Sequence, residues 1–271
     1  MEERPFGEID AQSSDRQAQF MSYLDALERS PTIQRVRSRA LVDWRLDRPH
    51  RLLDVGTGAG EVARELIGLT GPDGEVVALD NAQAMIDAAR ARDGGTGVRY
   101  VVGDVRSLPY ADGYFDGVRT ERVLQHLDDP DAAIAEMSRV LRPGGRICLI
   151  DTDWDSLLVD GSPTDLHVQL TQVMSFMGSG RRTGRTLRRR LLGLGYTEVE
   201  ASPVTVATTN RQEASVLLPV FDPDTVRKVP EFGEEDTRNA WLDALERAVG
   251  DGTFLATLTI WIATGTKPVP A

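Results

Sequence analysis

The chain has 271 residues, a length that suits one large α/β domain, or one domain with a modest insertion, better than several independent domains. A hydrophobic fraction of 41% supplies a core, whereas a net charge of −11 argues against broad binding to a phosphate backbone, which needs a basic surface. A single cysteine excludes an internal disulfide, and three histidines without partners at ligand spacing argue against a structural zinc. No run approaches the roughly 18 apolar residues that cross a bilayer. The polar opening MEERPFGEID lacks the apolar stretch of a signal peptide, so a cytoplasmic protein is expected.

Residues 15–46 read as two helices. Phe20, Leu24 and Leu27 share a face of the first, and Ile33, Val36, Ala40 and Trp44 a face of the second. Ser30 and Pro31 separate them as N-cap and first helical residue. From Arg51 the texture becomes a β–α alternation. A strand Leu52–Val55 leads into Gly56-Thr57-Gly58-Ala59-Gly60 and a helix to about Leu69. A second strand from Glu75 ends at Asp80, an Ala-rich helix covers 82–92, and a third strand from Val98 ends at Gly103-Asp104. Phe115–Val118 begins a fourth strand, and 130–141 is a helix closed by Arg142-Pro143-Gly144-Gly145. The fifth strand, from Arg146, ends at Asp151. Such alternation predicts parallel strands with helices on both faces. Beyond it, Leu166, Leu170, Val173 and Met177 fall at helical spacing, and 184–194 is an arginine-rich helix. Two β-like runs, Val204–Thr208 and Phe254–Ala263, flank a polar, partly helical stretch.

The glycines after the first strand let the backbone turn sharply and let a ligand approach the main chain, and the following helix offers free N–H groups. Asp80, 20 residues after Gly60, is placed to accept both hydroxyls of a ribose. Asp104 ends the third strand, where it can accept an adenine amine. With Asp54 these make a line of carboxylates along one sheet edge. That line repels pyrophosphate and suits an adenosine bearing a cationic tail. A dinucleotide-binding dehydrogenase is disfavoured, because its fingerprint needs glycine where Glu61 stands.

The stretches RLLDVGTGAG, VVALDNAQAMIDAAR, VRYVVGDVRSLPYADGYFDGV and AAIAEMSRVLRPGGRICLID, spanning about residues 48–152, resemble class I S-adenosylmethionine-dependent methyltransferases of the group acting on small molecules. The resemblance implies a Rossmann-like α/β fold: a doubly wound, mostly parallel seven-stranded sheet with an antiparallel last strand. Val204–Thr208 and Leu258–Thr264 are the candidates for its closing hairpin. It divides the chain into an N-terminal helical cap (1–47), a cofactor-binding core (48–152), a helical lid or substrate-binding insertion (153–195) and a C-terminal part of the same α/β domain (196–271). S-adenosyl-L-methionine is the implied cofactor. Gly56, Thr57, Gly58 and Gly60, with Asp54 nearby, would wrap its methionine part. Asp80 would hold the ribose, Asn81 and Met85 would flank the adenine, and Asp104 and Val105 would meet the adenine edge. Thr120 and Glu121 would lie by the methionine moiety.

Methyl transfer is an in-line displacement in which the protein aligns the nucleophile and excludes water. A general base is needed only for an acceptor that keeps its proton at neutral pH. The candidates are His126, Asp153 and His167, set against ordinary roles as a hydrogen-bonded, a capping and a helix-face residue. Tyr23, Trp154, Met174 and Met177 are candidate acceptor contacts, with helix packing or a second small core as the competing explanation. Arg181, in a cluster with Arg182, is a candidate for an anionic acceptor group, against surface pairing with acids. The expected acceptor is a small apolar or aromatic metabolite, of the kind met in secondary metabolism. No metal, nucleic acid or membrane is expected as a partner, and the chain is expected to be a monomer or homodimer. Two alternatives are a protein of this fold catalysing another reaction, such as a cyclisation, and a macromolecule methyltransferase.

Overall fold

In the computed structural model, which describes residues 9–11, 13–47, 49–160 and 180–270, the first strand β1 (Arg51–Val55) sits inside the sheet. It pairs in parallel with β2 (Glu75–Asp80) on one side and β4 (Phe115–Glu121) on the other. Covered on both faces, β1 reads as a continuous buried run, Leu52 to Val55, instead of an alternating one. β3 (Arg99–Val102) adds to β2 and β5 (Leu141–Asp160) to β4, again in parallel. The sheet closes with β6 (Thr197–Thr208) and β7 (Leu255–Thr266), in the order β3-β2-β1-β4-β5-β7-β6. β7, last in sequence, runs antiparallel to its neighbours. The Gly144 N–H donates to the Lys267 carbonyl (2.8 Å) and Lys267 N–H to Gly145 (2.9 Å) at one end, while Thr259 N–H reaches the Ser156 hydroxyl (2.8 Å) further along β5.

The chain divides into two compact units. The first comprises Met1–Asp151, Thr183–Ser202 and Trp261–Ala271, and the second Thr152–Arg182 and Pro203–Ile260. The first unit holds helices α1 (Ser14–Glu28), α2 (Pro31–Trp44), α3 (Glu61–Leu66), α4 (Gln83–Arg92), α5 (Pro130–Val140) and α6 (Thr183–Gly193). α5 shows how local chemistry sets an element. Asp129 accepts from the Ala132 N–H as N-cap, Pro130 opens the helix, and Ala133, Ile134, Met137 and Val140 form its buried stripe. At the far end the Lys267 ammonium donates to the carbonyls of Ser138 (2.6 Å) and Leu141 (2.7 Å). The stripe packs on Leu53, Val55, Val77, Leu79, Val118, Ile147 and Leu149 of the strands, with Leu187 and Leu191 of α6 in the same cluster.

Arg139 of α5 fixes the loop between β3 and β4. All five of its N–H donors are used: on both Glu136 oxygens, on Asp112, and on the carbonyls of Leu108 and Tyr110, at 2.7–2.9 Å. α2 is tied to the sheet by a reciprocal pair. Trp44 Nε1 donates to the Arg146 carbonyl (3.0 Å), and Arg146 Nε to the Trp44 carbonyl (2.6 Å).

The second unit carries α7 (Arg211–Leu217), α8 (Pro223–Lys228) and α9 (Glu235–Gly250). Phe221 lies against Trp241 (5.9 Å between centroids) and edge-on to Phe254 (5.7 Å), and Trp241 Nε1 donates to the Val220 carbonyl (2.7 Å). Asn210 and Asp222 cap α7 and α8 with their side-chain oxygens.

Three features differ from expectation. β5 runs to Asp160 instead of ending at Asp151, so Trp154, Leu157 and Leu158, expected in a lid, are strand residues. Aspartates at 151, 153 and 155, poor strand formers, hide the continuation. β6 begins at Thr197, earlier than its apolar run, because its first half carries Glu198 and Glu200 at the sheet's edge. Ser30 occupies the N-cap position of α2 but makes no capping hydrogen bond with its side chain.

Candidate functional site

The site begins at the carboxyl end of β1. Gly56 and Gly60 both hold left-handed backbone (φ 70° and 76°), which glycine alone adopts without strain. Space restricts them as well. A Cβ on Gly56 would stand 2.1 Å from Val123 Cγ2, and one on Gly60 2.7 Å from Tyr100 Cε1. The loop is clasped by the neighbouring strand end. Gly56 and Thr57 donate to the Leu79 carbonyl (2.7 and 3.0 Å), and Gly58 N–H donates to Asp80 Oδ2 (2.9 Å). Asp80 Oδ1 accepts from the Ala82 N–H (3.0 Å). Burial pushes the Asp80 carboxyl above its ordinary range, and these backbone donors pull against it. Gly56→Ala is expected to destabilise the fold by about 2–4 kcal/mol and to distort the loop. A lowered melting temperature together with weakened nucleoside binding in calorimetry would be the readout.

Beneath the loop lies a continuous chain of ion pairs. Asp54, 2% exposed, accepts from Thr57 Oγ1 (2.7 Å) and Arg119 Nη1 (2.8 Å). Arg119 Nη2 reaches Glu121 (2.8 Å), Arg37 Nε of α2 also reaches Glu121 (3.1 Å), and Arg37 Nη1 pairs with Glu61 at the start of α3. Burial drives the Asp54 and Glu61 carboxyls up, against the pull of Arg119 and Arg37 respectively. Burial also opposes ionised Glu121, but Arg37, Arg119 and Arg122 outweigh it and hold that carboxyl down at about 2. Thr120 is fully buried, its hydroxyl donating to the Val55 carbonyl (3.0 Å).

The remaining expected cofactor residues lie in the same unit. Met85 of α4 is buried with Ala82 and Ile9, and Phe20, Met21 and Leu24 of α1 pack against them. Leu24 lies 3.5 Å from where a Gly58 Cβ would be, and Asp10 caps α4 by accepting from the Gln83 (2.7 Å) and Ala84 (3.0 Å) N–H groups. Tyr23 lies 6.2 Å from the Phe20 ring, and Asn81 is exposed beside Asp80. Val105 belongs to the main core. Asp104 lies two residues past β3, exposed, and its two oxygens are held by Arg106 at 2.6–3.0 Å, which keeps its carboxyl below the usual range.

His126 ends a short turn after β4, its Nε2 3.0 Å from Gln125 Nε2, while the Gln125 N–H donates to buried Asp151 (3.0 Å). Asp153, Trp154 and Arg181 belong to the second unit. There Arg181 donates twice to Asp155 Oδ1 (2.8 and 2.6 Å) and Arg182 once to Oδ2 (2.5 Å), which is the surface pairing set against an anion role. His167, Met174 and Met177 lie outside the described residues. The residues that sequence reading passed over are Arg37, Arg119 and Arg122. Only Arg119 left a local signal, a charge in the middle of the strand FDGVRTE. Among the described residues, no helix is long and apolar enough to cross a membrane, and no group of three or more His, Cys, Asp or Glu is placed to hold a metal.

Residues 53–149 match the family described as "Methyltransferase domain". The chain is 33% identical over 246 residues to an uncharacterized 37.1 kDa protein in transposon TN4556 of Streptomyces fradiae, covering 89% of this chain and 70% of that one. It is 38% identical over 106 residues to the ubiquinone/menaquinone biosynthesis C-methyltransferase UbiE of Stutzerimonas stutzeri, covering 38% of this chain and 41% of that protein. The chain thus spans about two fifths of the length of that methyltransferase. Among solved structures it is similar to phosphoethanolamine N-methyltransferase 2 of Haemonchus contortus in complex with S-adenosyl-L-methionine (16% identity, TM-score 0.63, 98% of this chain and 60% of that one). It is also similar to the [4+2]-cyclase SpnF (22% identity, TM-score 0.54, 88% and 82%). At these identities the structural likeness is one of fold.

Proposed function

We propose, from the premise that this chain belongs to the class I S-adenosylmethionine-dependent methyltransferases, that it transfers the cofactor's methyl group to a small organic acceptor. The observation that carries this reading is the glycine cradle clasped by Asp80 above the Asp54–Arg119–Glu121 chain. At Gly56 and Gly60 its walls leave no space for a Cβ, and its carboxylates suit a ligand whose tail is cationic. S-adenosylmethionine, the cofactor of this family, supplies an electrophilic methyl group on a sulfonium.

The chain's own residues then have definable tasks. Gly56, Thr57, Gly58 and Gly60 lie along the methionine part, with Asp54, Thr120 and Glu121 offering carboxylate and backbone to its ammonium. Asp80, whose two oxygens are bound by the Gly58 and Ala82 N–H groups with the Asn81 backbone also donating, has lone-pair capacity left to accept the ribose hydroxyls. Met85 and Asn81 bracket the adenine, and Val105 and Asp104 meet its edge. Asp104 does so by giving up part of its hold on Arg106, an exposed pair worth little. α1, with Leu24 against the glycine loop, keeps water from the sulfonium. His126 is the proton acceptor when the acceptor is a phenol or alcohol: it takes the proton on Nδ1, with the Gln125 amide turned so that its oxygen accepts from Nε2–H. The excess of acidic over basic residues supports an uncharged or aromatic metabolite over a nucleic acid.

A second reading, a cyclisation that uses the cofactor as scaffold, has the likeness to SpnF in its favour. Incubation with methyl-labelled S-adenosylmethionine and a panel of small aromatic acceptors separates the two. Methyl transfer yields S-adenosylhomocysteine in a one-to-one ratio with labelled product. Conversion of a substrate without S-adenosylhomocysteine would reject it in favour of the cyclase reading.

A further inference from the structure

Helix α6 is divided lengthwise by its own sequence. Thr183, Gly184, Thr186, Leu187 and Leu191 are buried, the two leucines in the same core as the α5 stripe. The opposite face is exposed and carries Arg185, Arg188, Arg189 and Leu192. At 3.6 residues per turn these four fall within roughly 100° around the helix axis. Leu192 lies near the middle of that arc, three, four and seven residues after the arginines.

The other arginines of this stretch are committed. Arg181 and Arg182 donate to Asp155, and Arg190 pairs with Asp131. Among the described residues, Arg188 and Arg189 make no hydrogen bond or ion pair. In a chain with 42 acidic and 31 basic residues, two adjacent arginines without an acid reverse the local sign of the surface. Leu192 is 45% exposed, and Leu194, just past the helix end, 42%. A solvated face gains nothing from a leucine at its centre. An apolar knob flanked by like charges is instead the pattern of a helix–helix seam, in which the charges select the partner.

We propose that the outer face of α6 docks an acidic amphipathic helix of a partner protein, with Leu192 in the partner's apolar stripe and Arg185, Arg188 and Arg189 against its carboxylates. Guanidinium forks match carboxylates two oxygens at a time. Charge selects a segment over an extended surface. The stripe is little more than two turns long, and exposed Asp131 already borders it at Arg190. With a Debye length of about 8 Å at physiological salt, a single helix feels the stripe, whereas a bilayer or a nucleic-acid duplex also meets the acids beyond it. The patch is small, so the contact is transient and micromolar.

Fluorescence anisotropy on the full chain tests this with a labelled helical peptide that carries leucines at heptad spacing and glutamates on both flanks. The same peptide with its leucines replaced by serine, vesicles containing phosphatidylserine and a DNA duplex are the competing probes. Saturable micromolar binding of the leucine peptide at physiological salt is expected. Arg188→Glu combined with Arg189→Glu should weaken it by roughly 10-fold or more, and Leu192→Ser by about fivefold. Arg188→Lys with Arg189→Lys should recover part of the loss. All three positions are exposed, so each variant should melt within about 2 °C of the wild type. Absence of saturable peptide binding would overturn the proposal. So would binding that neither Leu192→Ser nor the serine peptide weakens, because the contact would then be charge alone. Tighter binding of vesicles or duplex, lost in the same variants, would overturn it in favour of a lipid or nucleic-acid surface.

Discussion

Asp80→Ala is expected to weaken S-adenosylmethionine binding by about 100-fold or more, the largest binding loss of any single change at this site. The carboxylate has two tasks. It holds the Gly58 and Ala82 N–H groups (2.9 and 3.0 Å), fixing the glycine loop and the start of α4 together, and its remaining lone pairs are proposed to accept the ribose. Alanine leaves both N–H groups without their acceptor in a place where only 8% of the aspartate is exposed. Each such orphan costs about 1–3 kcal/mol. Asp80→Asn separates the tasks, because its one carbonyl oxygen can keep one backbone donor but not serve as an ionised acceptor. Titration calorimetry of both variants, with melting curves to confirm folding, is the measurement. Equal affinity of wild type and Asp80→Ala would refute the ribose assignment.

Arg119→Met is expected to cost about 3–5 kcal/mol of stability, because it strands buried Asp54 without its cation and takes from Glu121 one of the three arginines around it. The three side chains are 3%, 3% and 8% exposed, so water cannot substitute for the lost guanidinium. The pH dependence carries a definite sign. The folded Glu121 carboxyl lies at about 2, below its ordinary 4.5, so its contribution is fully present above the ordinary value and is lost as pH falls towards 2. Without Arg119 that carboxyl rises, and the loss begins at higher pH. Asp54, already raised by burial, is pushed further the same way. Urea midpoints of wild type and variant between about pH 2 and 7 should diverge most on the neutral side. A variant with wild-type midpoints throughout would show the chain of ion pairs to be energetically idle.

The first half of the fold was open to sequence reading for a physical reason. Short runs such as Leu52–Val55, apolar but for Asp54, and the wholly apolar Val76–Leu79, each followed by glycine or aspartate, leave few alternatives to a buried parallel strand. Cys148, the chain's one cysteine, is buried in register with Arg119, and burial pushes its thiol up to about 12. The rest was hidden by chemistry that single-chain pattern cannot resolve. The continuation of β5 is masked by its aspartates, and the first half of β6 by edge glutamates. Asp104 could be read as a free acceptor because nothing in the motif marks Arg106 as its partner. The ion pairs joining residues 37, 54, 61, 119 and 121 depend on three-dimensional neighbours that lie up to 84 positions apart.

Arg37 has a consequence for anyone reshaping this enzyme. One residue of the N-terminal helical region is wired at once to Glu61, which opens the helix after the glycine loop, and to Glu121, which ends β4. The first 47 residues are therefore not an interchangeable module. A chimaera that grafts the corresponding segment of a relative onto residues 48–271 must also import compatible residues at positions 61 and 121. A graft that overlooks them would leave Glu61 without its arginine and Glu121 with one fewer, and its failure would be misread as a change of acceptor preference.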